Sequence, residues 1–215
     1  MREDTNTLID RLAQEAAPVK PLAPPLLRAG AFVAGLGVVM AAFAVFSGHV
    51  EETIAQLASL PFAAELAGAV IAGIGAIVAA VMLSIPGRSR AWVWLPVPGI
   101  ALWLLGGGLE CYRQVATLGY VPTSLFASSA CFTFITTVGL PTAAAAYVLL
   151  RRSLSVDVAR VTALAGLGAA LLAAALLQFI HAHGTNPVDF GTHVVAVVML
   201  MLFAMTAGRL AFGRG

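Results

Sequence analysis

Residues 161–180 read VTALAGLGAALLAAALLQFI, a stretch without a single charge and with a small side chain at almost every turn. At about 1.5 Å per residue, a helix of that length matches the roughly 30 Å hydrocarbon core of a bilayer. Five further apolar runs of similar length lie around it: Ala29 to Gly48, Ala67 to Ile85, Ala91 to Gly108 and Leu125 to Leu150, all uncharged, and Val194 to Phe212, whose one charge is Arg209 near its end. The whole chain has 215 residues, 60% hydrophobic and 10% charged. A soluble domain usually carries about 25% charged residues. The composition therefore excludes an ordinary soluble domain and predicts an all-α integral membrane protein with six transmembrane helices. A net charge of +2 leaves no basic stripe for nucleic acid. A polar segment precedes a full-length first span, so no cleaved signal peptide is expected.

Translocating cationic flanks is disfavoured, so Lys and Arg mark the cytoplasmic side. Eleven of the 12 lie on one side: Arg2, Arg11, Lys20, Arg28, Arg88, Arg90, Arg151, Arg152, Arg160, Arg209 and Arg214. Only Arg113 falls on the other. Both termini are thus predicted to be cytoplasmic. The outer side receives His49, His181, His183 and His193, with Glu51, Glu52, Glu65, Glu110 and Asp189 on it or just inside it.

Helices already in lipid associate largely through close packing of small residues. Gly68, Ala72, Ala76 and Ala80 form such a stripe on span two, and Gly166, Ala170 and Ala174 form one on span five. Pro141 removes a backbone donor inside span four and predicts a kink there. Gly106 to Gly108 read as the end of span three. No charge falls near a span centre, which disfavours a pore or carrier. There is no Ser-His-Asp arrangement, phosphate-cradling glycine loop or helix-borne histidine pair with a glutamate, so no enzyme is expected.

Residues 1–28 form a tail of four basic and four acidic residues ahead of the 29–215 transmembrane domain. From Asp4 to Ala16, Leu8, Ile9 and Leu12 recur at helical spacing, and Asp4 or Thr5 is placed to cap. Pro18, Pro21, Pro24 and Pro25 then impose an extended segment. A helix this short is marginal alone in water and needs a surface to lie on. Two surfaces compete. One is the inner leaflet, against which stands Arg11 as the only basic side chain in the helix. The other is a partner's groove, with the three apolar side chains as anchors.

The tail LIDRLAQEAAPVKPLAP, six spans, CFTFI early in span four with LRR after it, IHAH ending span five and a histidine opening span six together resemble the NrsF-type family. These are small bacterial six-span membrane anti-sigma factors. The resemblance implies that the tail holds an extracytoplasmic-function sigma factor at the inner membrane until a stress signal releases it. It places partner binding on Leu8, Ile9, Leu12, Pro18, Val19, Pro21 and Leu22, and the family's span-four cysteine on Cys131. Many members carry a second cysteine directly after the histidine that ends span five. Here that position is Ala182. Cys111 substitutes only if the outer loop after span three lies over span four.

No resident cofactor is expected, with one open alternative. His181, His183, His193 and Asp189 are brought near one another by a short loop and offer ligands for a metal ion, although their spacing matches no zinc signature. Cys111 and Cys131 are the candidate redox sensors, each equally readable as a small apolar packing residue. The functions to distinguish are therefore a membrane anti-sigma factor, with a sigma factor and the bilayer as partners and no direct contact with nucleic acid, and a small metal-handling permease.

Overall fold

The computed structural model describes residues 4–16, 21–119, 125–153, 157–180 and 186–212. Among them every regular element is helical: α1 (Thr5–Glu15), α2 (Pro25–Ser47), α3 (Val50–Gln56), α4 (Leu60–Leu83), a 3-10 turn (Arg90–Trp94), α5 (Val97–Leu118), α6 (Leu125–Leu150), α7 (Val158–Leu177) and α8 (Pro187–Phe212). Six of these segments are long and apolar enough to cross a membrane.

The bundle is built around α4 and α7, which pack on each other. α4 also meets α2 and α5, and α7 also meets α6 and α8. The middle helix of each three-span set is therefore the inner one. The small stripes explain why. Gly68, Ala72, Ala76 and Ala80 are all buried, as are Gly166, Ala170 and Ala174. A Cβ on Gly168 would lie 2.8 Å from the Gly73 carbonyl oxygen, so at this crossing the two backbones are nearly in contact. Such proximity maximises dispersion where the hydrophobic effect offers little. Larger side chains fill the rest, with Phe62, Trp103, Ile135, Leu171 and Leu200 in one buried cluster and Ile77, Val81, Leu150, Val161 and Leu164 in another. α2 stays at the edge, with only Ala29 and Ala44 buried.

The termini of the spans differ from the uncharged runs. α2 begins at Pro25, before the expected Ala29, because proline is tolerated in the first helical turn. Pro25 thus starts a helix instead of forbidding one. α4 begins at Leu60, well before Ala67, and carries Glu65 inside it. Pro96 and Pro98 delay α5 to Val97, with the preceding tryptophans in the 3-10 turn. α5 then runs to Leu118, so Gly106 to Gly108 lie within the helix and do not end it. Gly106 and Gly107 serve packing: a Cβ on Gly106 would fall 2.3 Å from the Glu65 amide nitrogen, and one on Gly107 would strike the Phe190 ring. α6 is helical through Pro141. The Thr136 hydroxyl donates to the Phe132 carbonyl, the local bonding expected of threonine in an apolar helix.

Candidate functional site

None of the residues of the tail helix α1 is buried. Asp4 sits at its N-cap in extended conformation, and the Leu8 amide donates to the Asp4 carbonyl at 3.0 Å, although the Asp4 side chain makes no capping bond. Arg11 and Glu15 pair across one turn at 3.3 Å, an exposed contact worth little. Leu8, Ile9 and Leu12 remain 40%, 57% and 56% exposed. Together they make an apolar strip on an otherwise polar helix. Pro21 and Leu22 are exposed on the chain leading to α2, while Pro18 and Val19 lie outside the described residues.

Where this tail joins the bundle, Arg28 in the first turn of α2 reaches across to α6. Its guanidinium donates to the Leu149 carbonyl and, at 3.3 Å, to the Ser153 hydroxyl. The Ser153 hydroxyl lies 3.0 Å from that of Ser84, which is fully buried at the end of α4. The last carbonyls of a helix have no intrahelical donors and carry partial negative charge. Arg28 satisfies one and neutralises the others. The root of the tail is thereby fastened to the ends of α4 and α6.

The opposite end of the bundle holds a buried polar cluster. Glu65, 1% exposed, accepts a hydrogen bond from the Gln178 amide at 2.9 Å. Glu110 is buried on α5, accepts from Arg113 at 2.6 Å, and accepts from the Ser59 hydroxyl at 3.3 Å. Thr53 donates to the Gln178 carbonyl at 3.2 Å, and Ser47 donates to the Phe179 carbonyl at 2.8 Å. Two side chains from the α2–α3 corner thus cap the end of α7. His49 lies within hydrogen-bond distance of Glu52, 3.2 Å, in an exposed position.

The candidate sensor residues fall in or beside this cluster. Cys111 and Cys131 are both buried. Cys111 is on helix α5, not in an outer loop, which corrects the expected geometry: α5 continues past Gly108 to Leu118. The carboxylates of Glu65, Glu110 and Asp189 lie within electrostatic reach of Cys111, and Asp189 also within reach of Cys131. Asp189 is in the first turn of α8, since Pro187 starts that helix and Asn186 accepts from the Val188 and Asp189 amides at 2.9 and 3.0 Å. His193 is buried one turn further on. His181 and His183 lie outside the described residues. Among those described, no three His, Cys, Asp or Glu side chains are grouped so as to hold a metal ion.

Sequence reading missed the Glu65–Gln178 pair. Its signal was present, in a carboxylate and an amide that border two apolar runs at the same depth. A family model described as NrsF, negative regulator of sigma F, matches residues 12–212, nearly the whole chain. No curated protein and no solved structure matches.

Proposed function

The chain belongs to the NrsF family, described as negative regulators of sigma F, and from that membership we propose that it is a membrane-bound anti-sigma factor of the bacterial inner membrane whose tail, residues 1–28, holds an extracytoplasmic-function sigma factor. The observation that carries this reading is the bare apolar strip of Leu8, Ile9 and Leu12 on a helix that buries nothing of its own. Such a strip is what a groove on a partner takes up, with each side chain as an anchor. Pro21 and Leu22 extend the contact.

Release requires that a stress signal at the outer end favour one arrangement of the bundle over another, because equal affinity for both shifts nothing. α6 spans that distance. It carries buried Cys131 near one end and, at the other, the Leu149 carbonyl that Arg28 engages at the root of the tail. Cys111, Cys131, Asp189 and the histidines His181, His183 and His193 are the candidates for sensing, by oxidation or by metal.

Co-purification of the full chain with a sigma factor from the same cell tests the reading. The complex is expected to be lost in Leu8→Asp plus Leu12→Asp, and an undisturbed complex overturns it. A metal-handling carrier is the second reading, supported by the buried carboxylates of Glu65 and Glu110 inside two spans. It requires metal flux into reconstituted vesicles that depends on His181 and His183.

A further inference from the structure

A lateral cleft of about 520 Å³ opens between α6 and α8 over α7. Pro141, Ala144 and Tyr147 form one wall, Ala204 and Ala207 the other, and Ala165 part of the floor. The space exists because the facing residues are small. The Thr162 hydroxyl in the floor spends its proton on the Val158 carbonyl at 2.8 Å, and apart from Thr162 and Tyr147 every lining residue is apolar. An occupant of this cleft is therefore an apolar chain.

Two further observations define what that chain is attached to. From Leu140, at the inner end of the cleft, to Arg151, one turn beyond its Tyr147 end, the α6 axis covers about 16 Å, half of a bilayer core of about 30 Å, so the cleft and that last turn together span one leaflet. Arg151 follows Tyr147 by one turn, its amide donating to the Tyr147 carbonyl at 2.8 Å, and so lies on the cleft face of α6. Arg152 is beside it, and both are exposed. Two other arginines at this end are committed, Arg160 to Asp157 at 2.6 Å and Arg28 to Leu149 and Ser153, while Arg88, Arg90 and Arg209 are exposed. Among the described residues, Arg151 and Arg152 have no ion-pair partner. Guanidinium groups bind phosphate oxygens in pairs, and basic sites between membrane helices at the cytoplasmic surface select anionic headgroups.

We propose that the α6–α8 cleft binds an anionic phospholipid of the leaflet at the arginine-bearing end, with an acyl chain along the alanine walls and the phosphate at Arg151 and Arg152. This site does not depend on the sigma-factor reading.

The full chain, purified and exchanged into an equimolar mixture of phosphatidylglycerol and phosphatidylcholine, is to be examined by native mass spectrometry for retained lipid. Phosphatidylglycerol is expected to be retained over phosphatidylcholine by about thirtyfold if each guanidinium contributes as basic residues near a membrane do. Arg151→Gln with Arg152→Gln, both on the surface and neutral to folding, is expected to bring that ratio close to one. Ala207→Phe, which fills the cleft, is expected to lose the retained lipid altogether. Equal retention of the two lipids, or an unchanged preference in the arginine variant, overturns the proposal. So does a change from dimer to monomer in Ala207→Phe with the lipid still bound, which assigns the cleft to a second copy of the chain.

Discussion

Replacing Gly106 by alanine is expected to drive α4 and α5 apart. The added Cβ would stand 2.3 Å from the Glu65 nitrogen and 2.8 Å from both the Glu65 Cα and the Pro61 carbonyl oxygen. All three atoms are backbone, so no side chain can rotate away, and carbon contacts need about 3.5 Å or more. The helices must separate by roughly 1 Å along their closest line, and overpacking of this kind costs about 1–3 kcal/mol. Gly108, two positions further along the same helix, is the internal control because a Cβ there meets nothing within 4 Å. Gly108→Ala relieves the helix of a glycine and gains about 0.5–1 kcal/mol. The two alanine variants are thus expected to move stability in opposite directions, by about 2–4 kcal/mol relative to each other. Reversible unfolding in mixed micelles titrated with SDS measures that difference. If both variants shift equally, or if Gly106→Ala is the more stable, the close-packed reading of the glycine triplet is wrong.

Replacing Leu8, Ile9 and Leu12 together by alanine removes apolar area that is still about half exposed and free to be buried on docking. The loss is about 2–4 kcal/mol, or roughly thirtyfold to several hundredfold in Kd for the sigma factor, and a titration showing less than about threefold would contradict the anchoring role. Gln178→Leu removes a donor from buried Glu65 and is expected to cost about 1–3 kcal/mol in the same unfolding assay. The double replacement with Glu65→Leu should cost less than Gln178→Leu alone, since it also removes the buried charge that has lost its Gln178 donor; a larger loss in the double would refute the pairing. Arg28→Gln is expected to lower stability by about 1 kcal/mol and to speed hydrogen exchange at the root of α2, with unchanged exchange refuting the clamp. In a cysteine-free background, an impermeant maleimide on intact cells should label Tyr112→Cys and spare Thr5→Cys, and the reverse pattern inverts the orientation.

The six spans were legible because lipid demands long uncharged runs, and the stripes of Gly68 and Gly166 were legible because close packing in lipid demands small residues. Span ends were not. An uncharged-run rule stops at Glu65 and Glu110, yet both sit inside helices because Gln178 and Arg113 meet their carboxylates within the fold. That compensation is a tertiary fact invisible to a linear scan. The glycine triplet misled for a related reason: glycine ends a helix in the absence of a neighbour, but here the backbone of Glu65 and the ring of Phe190 occupy the missing Cβ positions. The tail helix was legible, with Leu8, Ile9 and Leu12 exposed on α1, since an amphipathic helix that buries none of its residues obeys only its own periodicity. Arg28 read as an orientation signal, and its role as a clamp depends on Ser153, far away in sequence.

The Arg28 clamp also fixes a point of origin. From Ala16 to Pro24 the chain reaches at most about 30 Å when fully drawn out, so α1 lies within a dome of that radius centred on the foot of α2. One binding strip confined to such a dome is present at an effective concentration on the order of millimolar to tens of millimolar. If α1 binds the sigma factor as proposed, a sigma factor that touches the end of the bundle even weakly is recaptured far more often than the cell's count of regulator molecules would suggest. Lengthening the arm thins this dome and weakens retention without altering a single contact.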